Sequence, residues 1–298
     1  MKILIACTHY PVASGRYMKD AFIRLGHDVR TIGESTGSNI WGGKVDDRWA
    51  WESNGNLTTA WYDWTPDLVL VMDSAWAYHH PVYADVPHAV YGVDNHVRDY
   101  RQAGIARYFL AHNAVSIMPM DAEDVEWLPC GFDSHWFTPS PIPYNERVWD
   151  VALIGVPYQS RVEIVQAMRE AGLKVLAANG LVYEDYRNTY WNARVSLCVS
   201  AAHDVAQRIF ETAAMGCAVL SDPLPDLEAL DAKGITTFDD AEGAVKAAAG
   251  LLKKPKMAET GQAWALSHSW DARARRIVEW WQETYAPKSK RKTVVLDD

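Results

Sequence analysis

The chain has 298 residues, 49% of them hydrophobic, which is long enough and apolar enough for two domain cores rather than one. Its formal charge of -9 argues against a general nucleic-acid or anionic-membrane binder, although a local basic groove stays possible. The four cysteines, Cys7, Cys130, Cys198 and Cys217, stand far apart with no CxxC pair, the pattern of buried reduced thiols in a cytoplasmic protein. The opening MKILIACTHY carries one lysine and an apolar run too short for a signal-peptide core, and no run reaches membrane-spanning length.

Lys2 to Cys7 is a continuous apolar run that suits a strand of a parallel sheet covered on both faces. A loop with Gly15 follows, then a helix from Tyr17 to Leu25 closed by Gly26, then a strand from Asp28 to Ile32. This β-loop-α-β order opens a doubly wound fold. Residues 33–65 are rich in Gly, Asn, Trp and Asp without a clean period, and read as an insertion around a short helix. Five of the 14 tryptophans stand there: Trp41, Trp49, Trp51, Trp61 and Trp64. Strands are expected at Asp67 to Met72, His88 to Gly92, Ser116 to Met118 and Glu126 to Pro129. Residues 138–147, TPSPIPYNER, hold three prolines and form the best linker.

The pattern then restarts. A strand from Trp149 to Gly155 leads to a helix from Arg161 to Ala171, closed by Gly172. A strand from Lys174 to Ala177, an aromatic-rich helix from Glu184 to Asn192 and a strand from Val195 to Ser200 follow. RIFETAAMGCAVLSD, Arg208 to Asp222, reads as a helix stopped at Gly216 and a strand from Cys217 to Leu220. Asp226 to Leu230 is a short helix, Ile235 to Phe238 a strand, Asp240 to Leu252 a helix, and Ser269 to Tyr285 a final amphipathic helix. The expected division is therefore a first Rossmann-like domain at 1–138, a linker at 139–147, a second at 148–268, the final helix at 269–285 and a disordered tail at 286–298.

Several nucleotide-binding signatures are missing. No GxGxxG follows a strand, no GxxxxGK[ST] loop is present, no HExxH or Cys/His cluster suggests zinc, and no two aspartates stand two apart. A cleft between two sheets is then the default site. Arg208 and Glu211, three residues apart, share a helix face. They form either a plain salt bridge or a cation and a carboxylate that together hold a phosphorylated ligand bearing hydroxyls.

LPCGFDSHWFTP ahead of the linker and FETAAMGCAVLSD in the second half, set in two successive α/β units, resemble the GT-B glycosyltransferases. The nearest likeness is to the retaining group 1 (GT4-like) enzymes, particularly their CgeB-like branch. Leu128, Pro129, Gly131, Asp133, Phe137 and Pro139 match the family's crossover phrase. Gly155 and Arg161 match its G…R phrase, and Arg208, Phe210, Glu211 and Gly216 its R-x-FE-x-x-x-x-G phrase. The resemblance covers residues 65–285 well and 33–65 poorly.

It implies an α/β protein of two Rossmann-like domains facing each other across a cleft, with the C-terminal helix crossing back to the first domain. It also implies transfer of a sugar from a nucleotide-diphosphate-sugar donor to a hydroxyl acceptor, with retention and with no metal or other cofactor. The acceptor would be a glycan, a small molecule or modified DNA.

In the family's E-x7-E pair the second glutamate binds the donor ribose, and Glu211 matches it. The first contacts the sugar or phosphate, and His203 stands in its place, where it would contact the diphosphate or sugar or, equally, be an ordinary loop histidine. A carboxylate suits vicinal hydroxyls, and the arginine forks of Arg161 and Arg208 suit a diphosphate. Gly15 and Gly155 would sit close to the donor. Asp94 and His96, after the strand HAVYG, are candidate catalytic bases, or a helix cap. Trp41, Trp49 and Trp51 would form an acceptor platform or, equally, a compact core for the insertion. Tyr183, Tyr186 and Tyr190 recur at helical spacing, a packing pattern, and Trp270, Ile277, Trp280 and Trp281 would glue the final helix to the first domain. A transferase acting on hydroxymethylated DNA bases, a non-catalytic nucleotide-sugar binder and a nucleotide-sugar epimerase remain as alternatives.

Overall fold

The computed structural model describes residues 1–40, 43–54, 64–72, 85–118 and 123–286. Its first half holds β1 (Lys2–Ala6), α1 (Ser14–Arg24), β2 (Asp28–Ile32), a small antiparallel ribbon of β3 (Asn39–Ile40) and β4 (Gly43–Lys44), then β5 (Leu68–Met72), β6 (His88–Gly92), β7 (Arg107–Leu110) and β8 (Val125–Trp127). Six of these strands form one parallel sheet in the order β2-β1-β5-β6-β7-β8. All five residues of β5 and four of the five in β1 are buried, which explains their unbroken apolar runs: both faces of the sheet are covered.

The second half repeats the plan. It comprises β9 (Trp149–Ile154), α2 (Gln159–Glu170), β10 (Val175–Ala178), α3 (Tyr183–Trp191), β11 (Ala193–Cys198), α4 (Gln207–Ala214), β12 (Ala218–Ser221), α5 (Pro225–Ala229), β13 (Ile235–Thr237), α6 (Ala241–Leu251), α7 (Pro255–Ala265) and α8 (Trp270–Tyr285). Its five strands are parallel in the order β10-β9-β11-β12-β13. All four cysteines are buried and unbridged.

The crossover phrase has a structural job. Phe132 N–H donates to the carbonyl of His268 at 3.0 Å, and Trp270 N–H donates to the carbonyl of Phe132 at 2.9 Å. Buried Asp133 accepts from the backbone of His135 and Trp136 and from Arg24. These bonds fix the start of α8, which runs back over the first sheet as the sequence implied. Trp270 packs on Tyr91, Trp280 meets Phe109 edge-on, and Trp281 Nε1 donates to the Asp67 carbonyl.

Two expectations need correction. Ser116 to Met118 is a turn, in which the Ser116 hydroxyl accepts from Met118 N–H; the strand lies earlier, at β7, paired with β6. Helix α7 is additional to the expected elements: its buried face is built from Ala258, Gly261 and Ala265 and so has a weak apolar signal. Gly33 to Gly37 spell GxSxG, but Ser35 leads into the β3–β4 ribbon rather than a helix, so no nucleophile elbow is formed. Residues 287–298 of the expected tail lie outside the described residues.

Candidate functional site between the two sheets

In doubly wound sheets ligands bind where neighbouring connections leave in opposite directions, at the carboxyl ends of the strands. Here those points fall between β1 and β5 and between β9 and β11. A cavity of about 420 Å³ lies there, walled by Tyr10, Ser14 and Tyr17 from the first domain and by the loops after β9, β10 and β11 from the second.

Gly155 follows β9 with φ +154°, and a Cβ there would lie 2.7 Å from Arg208 Nη2 and 3.2 Å from Arg161 Nη1. Two guanidinium groups therefore converge over bare backbone. Arg161, 6% exposed, is braced by the Val199 carbonyl (3.0 and 2.5 Å) and the Val156 carbonyl (3.0 Å). Burial and then Arg208 lower its pKa, although an arginine stays charged at neutral pH. Burial also opposes the charge on Arg208, but Tyr190, Tyr186, Cys198 and Glu211 outweigh it and raise its pKa. Arg208 Nη1 is buried with no hydrogen-bond partner among the described residues.

Glu211 lies one turn further along α4 and is 7% exposed. Its Oε2 accepts from the Tyr186 hydroxyl at 2.7 Å and its Oε1 from Gln207 Nε2 at 2.6 Å. Burial raises its pKa, against the pull of Tyr186, Gln207 and Arg208. Among the described residues no ion pair joins Arg208 to Glu211, so the plain salt bridge is not what this face does. Tyr186 both packs and donates, a role that its helical spacing concealed.

Asp204 also lines the cavity and was not singled out in the sequence. Ser200 Oγ donates to its Oδ1 at 2.6 Å. Burial pushes its pKa up, but Ser200, His112 and His96 prevail and lower it. His203, by contrast, sits at φ +59°, exposed and outside the cavity wall.

The remaining candidates are scattered. Gly15 is in the first turn of α1, where a Cβ would meet Cys7 Sγ at 2.6 Å; its lack of a side chain serves packing, and its neighbour Ser14 lines the cavity. Asp94 and His96 lie on the turn after β6, not on the cavity wall, and no helix follows for them to cap. Asp94 faces Arg98 at 3.8 Å, while His96 meets buried His112 edge-on at 4.6 Å.

Trp49 and Trp51 are corrected from platform to core. Trp49 stacks on Tyr183 at 4.4 Å and abuts Trp136, and Trp51 packs on His9 with its Nε1 bonded to the Tyr10 carbonyl. Both are under 10% exposed, leaving no free face for a ligand. Trp41 lies outside the described residues.

The two domains also touch directly: the Tyr183 hydroxyl donates to the Pro11 carbonyl, and Asp226 accepts from Asn113 N–H (3.0 Å) and Ala114 N–H (2.8 Å). Among the described residues no group of three His, Cys, Asp or Glu could hold a metal ion, and no helix is long and apolar enough to cross a membrane.

Residues 142–279 match the model of a glycosyl transferase-like family. No curated protein matches the chain in sequence. Among solved structures, AviGT4, a glycosyltransferase involved in avilamycin A biosynthesis, is similar at TM-score 0.66 and 13% identity, with 95% of this chain and 97% of that one covered. HepE of Anabaena, in complex with UDP-glucose, is similar at TM-score 0.66 and 12% identity, with 95% and 100% covered. An alpha-glucosyltransferase in complex with UDP and a 13-mer DNA containing a HMU base is similar at TM-score 0.60 and 12% identity, with 94% and 99% covered. At such identities these likenesses carry the fold alone, and that fold is GT-B.

Proposed function

We propose that the chain is a glycosyltransferase that moves a sugar from a nucleotide-diphosphate-sugar to a hydroxyl acceptor. The observation that carries this reading is the convergence of Arg161 of α2 and Arg208 of α4 over Gly155, with the Glu211 carboxylate one turn beyond Arg208 on α4, at the carboxyl ends of both sheets. As the bond from the sugar to the diphosphate breaks, negative charge grows on the leaving phosphate oxygens. Preorganised guanidinium groups in a partly dry cleft stabilise that charge without reorganising. The first turns of α2 and α4 lie at the cavity wall, and neither helix has a side-chain cap, so their free N–H groups and positive dipole ends add to the same field. Glu211 accepts the ribose hydroxyls. Contacts such as Tyr183 to Pro11 hold the domains closed and keep water from the donor.

Retention of configuration and independence of metal belong to this proposal and come from the sequence resemblance. The matched family model, reached independently of the geometry, supports the transferase reading.

The test is nucleotide release from a panel of UDP, GDP, ADP, CDP and dTDP sugars, against a Glu211→Ala control. No release above that control with any donor, together with no donor binding, sinks the reading. Binding without turnover favours a non-catalytic binder. Donor conversion without acceptor favours an epimerase. A DNA complex that weakens steeply with salt marks a DNA acceptor.

A further inference from the structure

We infer that Tyr183 is a positioning residue. It plugs a socket built largely by the tryptophan-rich insertion, docks the two domains through the chain's own contacts, and so sets the helix that holds Glu211. The consequence for Glu211 rests on the proposal that the cavity takes a nucleotide-diphosphate donor.

Tyr183 opens α3 in the second domain, yet its ring is buried, at 1% exposure, among groups of the first. Trp49 stacks on it at 4.4 Å, Trp136 lies tilted at 4.8 Å, and the Arg16 guanidinium stands 4.9 Å from its centroid. Its hydroxyl donates to the Pro11 carbonyl. Ring pairs and a cation over a ring add attraction beyond the area they bury. Arg16 also ties the socket together: its Nη1 donates to the Pro11 carbonyl at 3.2 Å and to the Trp49 carbonyl at 2.7 Å. Trp51 Nε1 donates to the Tyr10 carbonyl at 2.7 Å. The insertion therefore braces the loop after β1, which walls the cavity through Tyr10 and Val12.

The backbone sets Tyr183 apart from ordinary packing. Its φ is +47°, a left-handed conformation uncommon for a bulky residue and sustained only where the surroundings over-determine it. Residues 179–182 just before it, and Tyr186 one turn after it, all line the cavity. The Tyr186 hydroxyl donates to Glu211 Oε2 at 2.7 Å. Seating Tyr183 in the first domain thus fixes, through one turn of α3, the hydroxyl that orients Glu211. With the ring out of its socket, the two halves of the cavity wall are no longer held together, and only the docked fraction binds donor fully. A chain left about one tenth docked binds about tenfold more weakly.

The experiment is small-angle X-ray scattering with titration calorimetry on the full chain. UDP, GDP, ADP, CDP and dTDP are each titrated, and the tightest is used at saturation. The unaltered chain is expected to keep one radius of gyration with and without it. Tyr183→Asn empties the socket with a residue that tolerates positive φ. Free of ligand it is expected to be larger than the unaltered chain, to contract on binding, and to bind about tenfold more weakly. Tyr183→Phe keeps the ring and is expected to stay compact, with Kd within about twofold because the docked form still predominates.

Arg16→Gln, which loosens the socket from the first-domain side, replaces Tyr183→Asn if that variant's thermal midpoint shows it unfolded; the same directions are expected. A Tyr183→Asn chain as compact and as tight-binding as the unaltered one overturns the inference. So does Tyr183→Phe binding as weakly as Tyr183→Asn, or an unaltered chain that contracts on binding. Expansion without loss of affinity overturns the positioning role. No binding of any nucleotide by the unaltered chain overturns the donor proposal, and the scattering of the free proteins then still decides the docking.

Discussion

Gly155→Ala isolates the convergence of the two arginines. The residue sits at φ +154°, which a side chain rarely adopts, so the substitution costs about 1–3 kcal/mol in backbone strain. The new Cβ would also lie 2.7 Å from Arg208 Nη2, short of the 3.4 Å where ordinary contact begins. The guanidinium is the flexible end of its side chain and must retreat by about 0.7 Å, enough to spoil a hydrogen bond to phosphate.

Losing one or two charge-assisted bonds weakens a nucleoside diphosphate by up to about a hundredfold. Gly172→Ala is the control: φ +85°, but nothing within 4 Å. The assay is thermal unfolding with and without the nucleoside diphosphate at a hundred times the unaltered protein's Kd. There the ligand stabilises by about 2.7 kcal/mol, or about 5 °C for a chain of this size. In Gly155→Ala a hundredfold weaker Kd leaves about 0.4 kcal/mol, under about 1 °C. Gly172→Ala should lower the unliganded midpoint and keep the full ligand shift. A full ligand shift in Gly155→Ala would refute the reasoning, as would its loss in Gly172→Ala.

Three further outcomes follow from the packing. Trp49→Ala removes a buried indole from between Tyr183 and Trp136 and should cost about 3–5 kcal/mol in urea unfolding; a stable variant with only a raised acceptor KM would restore the platform. Asp226→Ala strips two inter-domain hydrogen bonds from Asn113 and Ala114 and should cost about 3 kcal/mol in calorimetric unfolding, and an unchanged transition would show the latch to be idle. Burial lowers the pKa of His9 to about 4, so the unfolded chain binds more protons between pH 6.5 and 4 and stability rises with pH across that window, by up to about 3 kcal/mol from this residue. His9→Asn should therefore flatten the stability profile between pH 6.5 and 4.5, and an unaltered slope would contradict the assignment.

The α/β repeat was legible because parallel strands buried on both faces leave unbroken apolar runs; β2 and β6 fall at the expected residues. The strand β7 was not: RYFL opens with a charged residue, and the nearby Ser116 to Met118 looked as apolar while forming only a turn. In the site, spacing and resemblance together single out Gly155, Arg161, Arg208 and Glu211, which lie within one helix turn or one loop of a recognisable strand end and share one cavity wall. Tyr186 escaped, because which side chain of α3 meets Glu211 depends on how α3 packs beside α4; Gln207, one turn ahead of Glu211 on α4, was within reach of the i, i+4 spacing, and Asp204 carried no motif signal. Position 203 misled for a related reason: a single left-handed residue swings the chain, leaving the histidine exposed and the next residue on the cavity wall. The tryptophans of the insertion carried no signal of burial, since an exposed platform and a covered core use the same residues.

The central claim is that Arg161, Arg208 and Glu211 hold a nucleotide-diphosphate-sugar. A crystal structure of the chain with its tightest-binding nucleoside diphosphate tests it most directly. Phosphate oxygens are expected within about 3 Å of both guanidinium groups above Gly155, and the ribose hydroxyls on the Glu211 carboxylate. A saturating ligand found elsewhere, with the two arginines still facing bare backbone, would contradict it.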